Sequence, residues 1–482
     1  MKQHLFLFLF ALQYSSAWAQ APVHLTEDLI MEYLKKSSPS LLQIESSFLN
    51  VKRVESSVKD RFGLQLIGEV QTQKSNETLL SNFDGAITKE STLFNVGIIK
   101  PTTYGVDLSL KAQGYKSTNA FISEAATTGV AAGLTMDLYQ DFLGRRTKNQ
   151  LKKSSVNTQR AQLEKKMALK SFEVNVRKIY WSIVANNEQY KLLMSQVLLA
   201  SRQYQQSVKR NKSNAADVGE VSRYRSQWTT LKSNLLSLKY RHRSLVKSLK
   251  ELLPELNDRE VILGPYNIKE VTAYVLACSL KIESYKETPM NITDYDEIMT
   301  LLNYEDQLES DILKNYDSLD LKFQAEYAMT GRDFGFGNAI ENFSDDGKTK
   351  SSLGLKLVIP LGKRKKTTED LMQKVNHNRY RALVAQNLSK IKASHFETKG
   401  MVTYLKEIML NQKETNFHLA KSIKVSQRKY QQARISVQEL ISEQDFNIRS
   451  RLSEIDTNLS ILNTILDYMG IFSDLSCPMN RI

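Results

Sequence analysis

The chain has 482 residues, with 66 Lys+Arg against 52 Asp+Glu for a net charge of +14, and its side chains are 24% charged and 9% aromatic. That length excludes a single small domain, and that composition excludes a low-complexity or disordered chain. A basic balance of this size is compatible with nucleic acid, an anionic surface or no particular partner, so the compartment decides.

The first nineteen residues supply the compartment. Lys2, the apolar run Leu5 to Leu12 and the small-x-small site Ala17-Trp18-Ala19 have the form of an export signal ending before Gln20. Without Lys2 the chain keeps 65 basic and 52 acidic residues, or +13, outside the cytoplasm, and nucleic acid is not an expected partner. No cysteine stands directly after the cleavage site, and no later stretch reaches the roughly 20 apolar residues of a spanning helix, so neither a lipid anchor nor helical insertion is expected. Cys278 and Cys477 allow at most one intramolecular disulfide.

Thr26 to Lys59 has helical spacing, carried by Leu29, Tyr33 and Leu34 and then Leu41, Leu42, Ile44 and Phe48. From Phe62 to Thr72 the period drops to two, with Leu64, Leu66 and Val70 on one face and Gln65, Glu69 and Gln71 on the other. The same alternation predicts strands at Phe94 to Ile98, Tyr104 to Leu110, Leu134 to Leu138, Leu319 to Tyr327 and Leu353 to Ile359. Such strands fit a soluble sheet with one wet face or an outer-membrane barrel. The connection Pro101-Thr102-Thr103 is tight, whereas Ser75 to Glu90, Ser117 to Gly129 and Met329 to Lys350 read as long polar loops, and that asymmetry is the habit of a barrel.

Two long helical stretches lie between the strand groups and a third follows the second group. Phe172, Val176, Ile179, Ile183, Asn186, Tyr190, Leu193, Val197, Ala200 and Tyr204 keep steps of four and three. A second stretch runs from Val221, Tyr224, Trp228 and Leu231 to Leu249 and Leu252, and a third from Ile441, Asp445 and Ile448 to Leu466 and Met469. A period of 3.5 held this long specifies coiled-coil seams. The first two stretches flank the short polar run Arg210 to Ala216 and so form an antiparallel hairpin.

The pattern repeats. Leu143-Gly144-Arg145-Arg146 ends a strand and opens a helix, and Leu361-Gly362-Lys363-Arg364 does so again 218 residues later. Further on, Asn211 and Ala433 correspond at a spacing of 222, which requires about one extra helical turn in the second half. The expected organisation is a signal over 1–19, a first repeat over 20–253, an irregular connector over 254–290, a second repeat over 291–472 and a tail over 473–482.

Strands, a Leu-Gly-basic junction and a long helical hairpin, all occurring twice, resemble the TolC-like outer-membrane channels of efflux and type I secretion. Ser38-Pro39-Ser40-Leu41 is similar to the family's early Asn-Pro-x-Leu segment, and Met136 to Gly144 and Val358 to Gly362 are similar to its two strand-to-helix junctions. The resemblance implies an α+β membrane protein, internally duplicated, with long antiparallel coiled-coil helices and strands that close a shared barrel only as a trimer. It implies a homotrimer in outer-membrane lipid with a periplasmic tunnel, a periplasmic adaptor and an inner-membrane pump as partners, and no cofactor. Four strands per subunit, as in the family, make twelve, and the extra hairpin Phe94 to Leu110 makes eighteen if it joins the wall.

The resemblance also implies the gate residues. Asp217 and Tyr430 match the family's inter-helix link, Glu439 its acidic ring, and Asn211, Ala433 and Arg434 the tips that dock the adaptor. Three copies of Glu439 around one axis would favour cations. Ile435 stands where many members have the gate arginine, with Arg434 adjacent, and Ser442 replaces a second ring carboxylate. Simpler readings stand beside these. Asp217 with Glu220 three residues on has the spacing of a capping box, a role compatible with a gate link. His242, Trp181 and Trp228 are expected to be packing residues, and the glycines of Gly331 to Gly337 and the pair Asp345-Asp346 an exposed loop. No metalloprotease, Cys-x-x-Cys or Gly-x-Ser-x-Gly motif is present, so no enzyme is expected. The competing expectation is a periplasmic coiled-coil spacer or envelope tether without channel activity.

Overall fold

The computed structural model describes residues 22–75, 88–119, 124–284, 293–313, 319–359 and 363–472. The export signal, the tail with Cys477, the side chain of Cys278 and Leu361-Gly362 of the second junction lie outside the described residues. In chain order the elements are β1 (Val23–Leu25), α1 (Glu27–Ser37), α2 (Pro39–Asp60), β2 (Gln65–Lys74), β3 (Thr88–Pro101), β4 (Val106–Asn119), β5 (Ala125–Asp137) and α3 (Arg145–Lys212). They continue as α4 (Val218–Leu252), β6 (Val261–Leu263), α5 (Ile268–Ser284), α6 (Thr293–Leu313), β7 (Asp320–Asp333), α7 (Phe336–Asp346), β8 (Lys348–Val358), α8 (Lys363–Gln431) and α9 (Val437–Ile471). They sort into two compact units, each assembled from separate stretches of chain.

The first unit, drawn from Met1–Ser47, Glu164–Tyr295 and Leu388–Ile482, is helical. Its core takes the predicted seams. Val176 and Ile183 of α3, Leu249 of α4 and Ile461, Leu462 and Leu466 of α9 are buried in one cluster. Leu193, Leu231 and Ile448 form a second, with Trp228 packed on it. Trp181 is buried, and His242 is half-buried, which lowers its pKa. Asn186, the polar seam position, is buried and donates to the Leu238 carbonyl at 3.1 Å. Thr26 caps α1 by accepting from the Leu29 amide, and Pro39 opens α2, where its missing N–H costs nothing.

The described part of the expected connector, 254–284, carries regular elements of this unit, and 285–290 lie outside the described residues. Val261–Leu263 pairs in parallel with Val23–Leu25, and Ile268, Thr272 and Val275, at steps of four and three, bury one face of α5. Pro254 opens a short 3-10 turn and Pro265 lies in the loop between β6 and α5, so neither breaks a ladder, while Pro289 lies outside the described residues.

The second unit, Phe48–Leu163 with Asp296–Asn387, carries a six-stranded antiparallel sheet in the order β2-β3-β4-β5-β7-β8. All six predicted strands are present, and all but β2 are longer than their alternation indicated. The extra hairpin is inserted into the sheet, β3 pairing with both β2 and β4, so the four-strand count does not describe this chain. Register separates the faces. Leu66, Ile98, Leu110, Ala132, Tyr327 and Ser351 stand in one cross-strand row, followed by the pairs Ala325–Leu353 and Phe323–Leu355 on the same face. The opposite face carries Glu69, Asn95, Gln113, Lys322 and Lys356. The apolar face is bare over much of its extent, with Leu66 79% exposed and Leu353 78% exposed. Among the described residues β2 and β8 are open edges.

The first Leu-Gly-basic junction has a steric reason. Leu143 and Gly144 are left-handed, with φ of 53° and 71°, and a Cβ on Gly144 would lie 1.9 Å from the Thr103 carbonyl oxygen in the tight β3–β4 turn. Asp141 then caps α3, accepting from the Thr147 amide at 3.0 Å and from its hydroxyl at 2.5 Å. The expected loop from Met329 to Lys350 is mostly ordered. β7 runs on to Asp333 and α7 occupies most of the remainder, because Phe336, Ala339 and Phe343 give it a helical apolar face.

A candidate gate at the helix tips

Both hairpins of the helical unit turn in the same way. Asn214 and Ala433 are left-handed, with φ of 55° and 56°. The Ala215 amide donates to the Arg210 carbonyl and the Asn214 amide to the Asn211 carbonyl, at 2.8 and 3.0 Å. In the second hairpin the Arg434 amide donates to Lys429 and the Ala433 amide to Tyr430, at 2.8 and 2.9 Å. Each is a Schellman ending of a long helix. Three residues after each left-handed position comes the next N-cap, Asp217 or Ser436.

The equivalent of Ala433 is therefore Asn214, and the offset is 219. The expected pairing of Asn211 with Ala433 is corrected, and with it the extra helical turn. α3 has 68 residues, α8 has 69, and α4 and α9 have 35 each, so the halves differ by one residue. Composition concealed this, because neither left-handed position is glycine. Asn211 instead stands at the position equivalent to Tyr430 and donates to the Ala216 carbonyl at 2.8 Å, bracing its own turn. Ala433 and Arg434 are exposed.

Tyr430 does bridge the hairpins, through partners other than Asp217. Its hydroxyl donates to Glu220 Oε1 at 2.7 Å and accepts from Arg210 Nη1 at 2.8 Å, and the same guanidinium nitrogen lies 2.9 Å from Glu220 Oε1. One residue each from α3, α4 and α8 thus meet at the tips. A second guanidinium nitrogen of Arg210 donates to the Ala215 carbonyl at 3.1 Å, fixing the arginine to the turn. Beneath them Tyr224 meets Tyr430 edge-on, centroids 6.5 Å apart, and packs with Val437 and Ile441 of α9. Burial is the main reason the Tyr224 and Tyr430 hydroxyls are pushed above the ordinary tyrosine value, and their mutual hydrogen bond raises Tyr224 further while partly offsetting the rise at Tyr430. These groups line a cleft of about 230 Å³ with Gln203, Gln206 and Gln427.

Asp217 and Glu439 are caps. Asp217 Oδ1 accepts from the Glu220 amide at 2.5 Å, but Glu220 does not complete a box, because its carboxylate turns to Arg210 and Tyr430. The full capping box is in the other hairpin, where the Glu439 amide donates to Ser436 Oγ at 3.2 Å and the Ser436 amide to Glu439 Oε2 at 3.0 Å. Glu439 is exposed while it does so. The sequence reading missed Arg210 and Glu220. Arg210 is one of three basic residues in the last turn of α3, and nothing in their spacing distinguishes it. Glu220 is marked only as the third residue after a cap.

A layer further along α4, Gln227 Nε2 lies 3.3 Å from Gln444 Oε1 and 3.4 Å from Asp445 Oδ1, and beyond it Gln189 donates to Asp456 at 2.7 Å. The tip cluster, which joins α3, α4 and α8, is thus the first of several polar ties among the long helices. Among the described residues no group of three or more His, Cys, Asp or Glu is placed to hold a metal ion.

No protein-family model matches the chain, and no curated protein sequence matches it. Solved structures do. The chain superposes on the CusC transmembrane channel with a TM-score of 0.64 at 12% identity, over 96% of this chain and 95% of that one. The CmeC outer-membrane channel of Campylobacter jejuni matches with a TM-score of 0.65 at 12% identity, covering 94% and 89%. The outer-membrane protein VceC of Vibrio cholerae matches with 0.63 at 11% identity, covering 92% and 95%. The chain has the fold of these outer-membrane channels, as the resemblance to TolC-like proteins implied.

Proposed function

We propose that the chain is one subunit of a trimeric outer-membrane exit duct, gated at its periplasmic helix tips and coupled to an inner-membrane pump through an adaptor. The observation that carries this reading is the six-stranded sheet, with one bare apolar face, one charged face and two open edges. In lipid an open edge leaves backbone groups unpaired, so the sheet must close with other copies. Three copies give eighteen strands, and barrel diameter grows about linearly with strand number, so the lumen is about half as wide again as a twelve-stranded one. Exposed apolar side chains on the helices, Tyr404 and Phe417 of α8 and Tyr240 of α4, support packing against neighbouring copies.

At the tips, Arg210, Glu220 and Tyr430 hold the two hairpins of one subunit together, and opening requires that tie to break. Glu439 is available for an acidic ring because its capping bond uses one carboxylate oxygen and leaves the side chain exposed. The energy of transport belongs to the pump, and the duct does no covalent chemistry. The test is ion conductance of the purified protein in planar bilayers. Steps of uniform size that increase in the Tyr430→Phe variant support the reading. A protein that is released by osmotic shock and conducts nothing is instead the coiled-coil spacer.

A further inference from the structure

On the apolar face of the sheet the outer ends of the central strands carry almost no side chain. Gly114 of β4, Thr128 of β5 and Gly331 of β7 stand in one cross-strand row at the end remote from the helix junctions, on the same face as Tyr327 and Leu353. α7 is seated there. Thr128 Oγ1 donates to the Ala339 carbonyl at 2.9 Å, and a Cβ on Gly331 would lie 2.3 Å from both the Ala339 oxygen and the Phe343 nitrogen. Phe336 meets Phe94 at a centroid distance of 5.3 Å, and Ala339 is wholly buried. The helix therefore lies on the outside of the wall, not over its polar side.

The far side of α7 is polar, with Asn338, Glu341 and Asp345 exposed, yet its flank is not. Ile340, which follows Phe336 by one turn, is 50% exposed, and Phe334 just before the helix is 69% exposed. Height explains why apolar groups belong there. On β7 the apolar row runs from Leu321 to Met329, eight residue steps, or about 27 Å of strand and about 20 Å of height at a tilt near 40°. A lipid-facing band is about 25 Å tall. Beyond Met329 the strand offers only Gly331 and then Asp333.

We propose that α7 is an interfacial helix, lying in the outer leaflet with Phe334 and Ile340 in the acyl-chain boundary and completing the hydrocarbon-facing band over the Gly114, Thr128 and Gly331 seat. The partner is membrane lipid, and the surface is continuous with the lipid-facing side of the sheet. The inference rests on the barrel reading given above. An amphipathic helix of this kind sinks its apolar flank into the boundary and leaves its polar side in the headgroups.

The test uses the full-length trimer in vesicles of phosphatidylcholine brominated near the upper acyl chain, with Ile340→Trp, Asn338→Trp and Leu355→Trp made one at a time. The fluorescence of unsubstituted protein is subtracted. Leu355 lies mid-strand on the apolar face and reports on the barrel alone. Quenching by about half at both Leu355→Trp and Ile340→Trp, with little at Asn338→Trp, is expected for a flank about 5–10 Å into the boundary. Quenching at Leu355→Trp but not at Ile340→Trp overturns the helix assignment and leaves the barrel standing. Equal quenching at Ile340→Trp and Asn338→Trp also overturns it, because an interfacial helix has a dry flank and a wet side. Absence of quenching at Leu355→Trp removes the barrel and the inference with it.

Discussion

Ala433 repeats the left-handed backbone of Asn214 almost to the degree, φ 56° against 55°, 219 residues later in the chain. Asparagine tolerates that conformation and alanine does not, at a cost of roughly 1–2 kcal/mol. The Ala433→Gly variant should therefore stabilise the second tip by about 1 kcal/mol, less the entropy that glycine adds to the open chain. Amide exchange of the residues flanking Ala433 is expected to slow several-fold, while Asn214→Gly changes little at its own tip.

Cap and tie are separable. Asp217→Ala should cost about 1 kcal/mol of local helix stability, the usual worth of an N-cap. It should leave conductance nearly unchanged, because the Arg210, Glu220 and Tyr430 contacts do not pass through Asp217. Tyr430→Phe and Arg210→Ala remove the tie itself and should raise conductance. If Asp217→Ala opens the duct as far as Tyr430→Phe does, the assignment of the tie is wrong.

Alkaline pH should loosen the same tips. The Tyr224 and Tyr430 hydroxyls are pushed above the ordinary value of 10.0, chiefly by burial, with Glu220 opposing their ionisation and Arg210 favouring it. A group whose folded pKa is raised contributes stability that is full below the value it has when open, and loses it as pH rises through the folded value. Conductance should thus be flat up to about pH 10 and climb above it. In Tyr224→Phe the climb should shrink, because one of the two ionising groups is gone.

The strand-to-helix junction should be intolerant. Gly144→Ala places a Cβ 1.9 Å from the Thr103 oxygen in a left-handed residue, so the turn or the junction must move. A loss of about 3 kcal/mol or more is expected, seen as a lower unfolding temperature in detergent. Gly337→Ala, with nothing within 4 Å of the added carbon, is the matched control and should be neutral or stabilising.

Much of the fold was legible because two periods are written plainly. Alternation marked all six strands, and the seams from Phe172, Val221 and Ile441 proved to be the interior of the helical unit. What failed had physical causes. α7 was hidden because Asn and acidic residues dominate its polar side and glycines lead into it, and its apolar residues look like a loop's until Ala339 is seen against Gly331. The connector reads as irregular in sequence because Pro254, Gly264 and Pro265 interrupt its pattern, and the short β6 and the buried face of α5 between and after them are too brief to show in its periodicity. At the tips the family-like positions drew attention to Asp217 and Glu439, whose first task is capping. Arg210 and Glu220, which hold Tyr430, sit among like residues and are singled out only by position in space.

The most direct measurement is single-particle imaging of the detergent-purified full-length chain. Particles with threefold symmetry, a water-filled lumen and eighteen strands around its wall are the predicted result. A solitary subunit, or a closed wall made from one copy, would contradict the central claim.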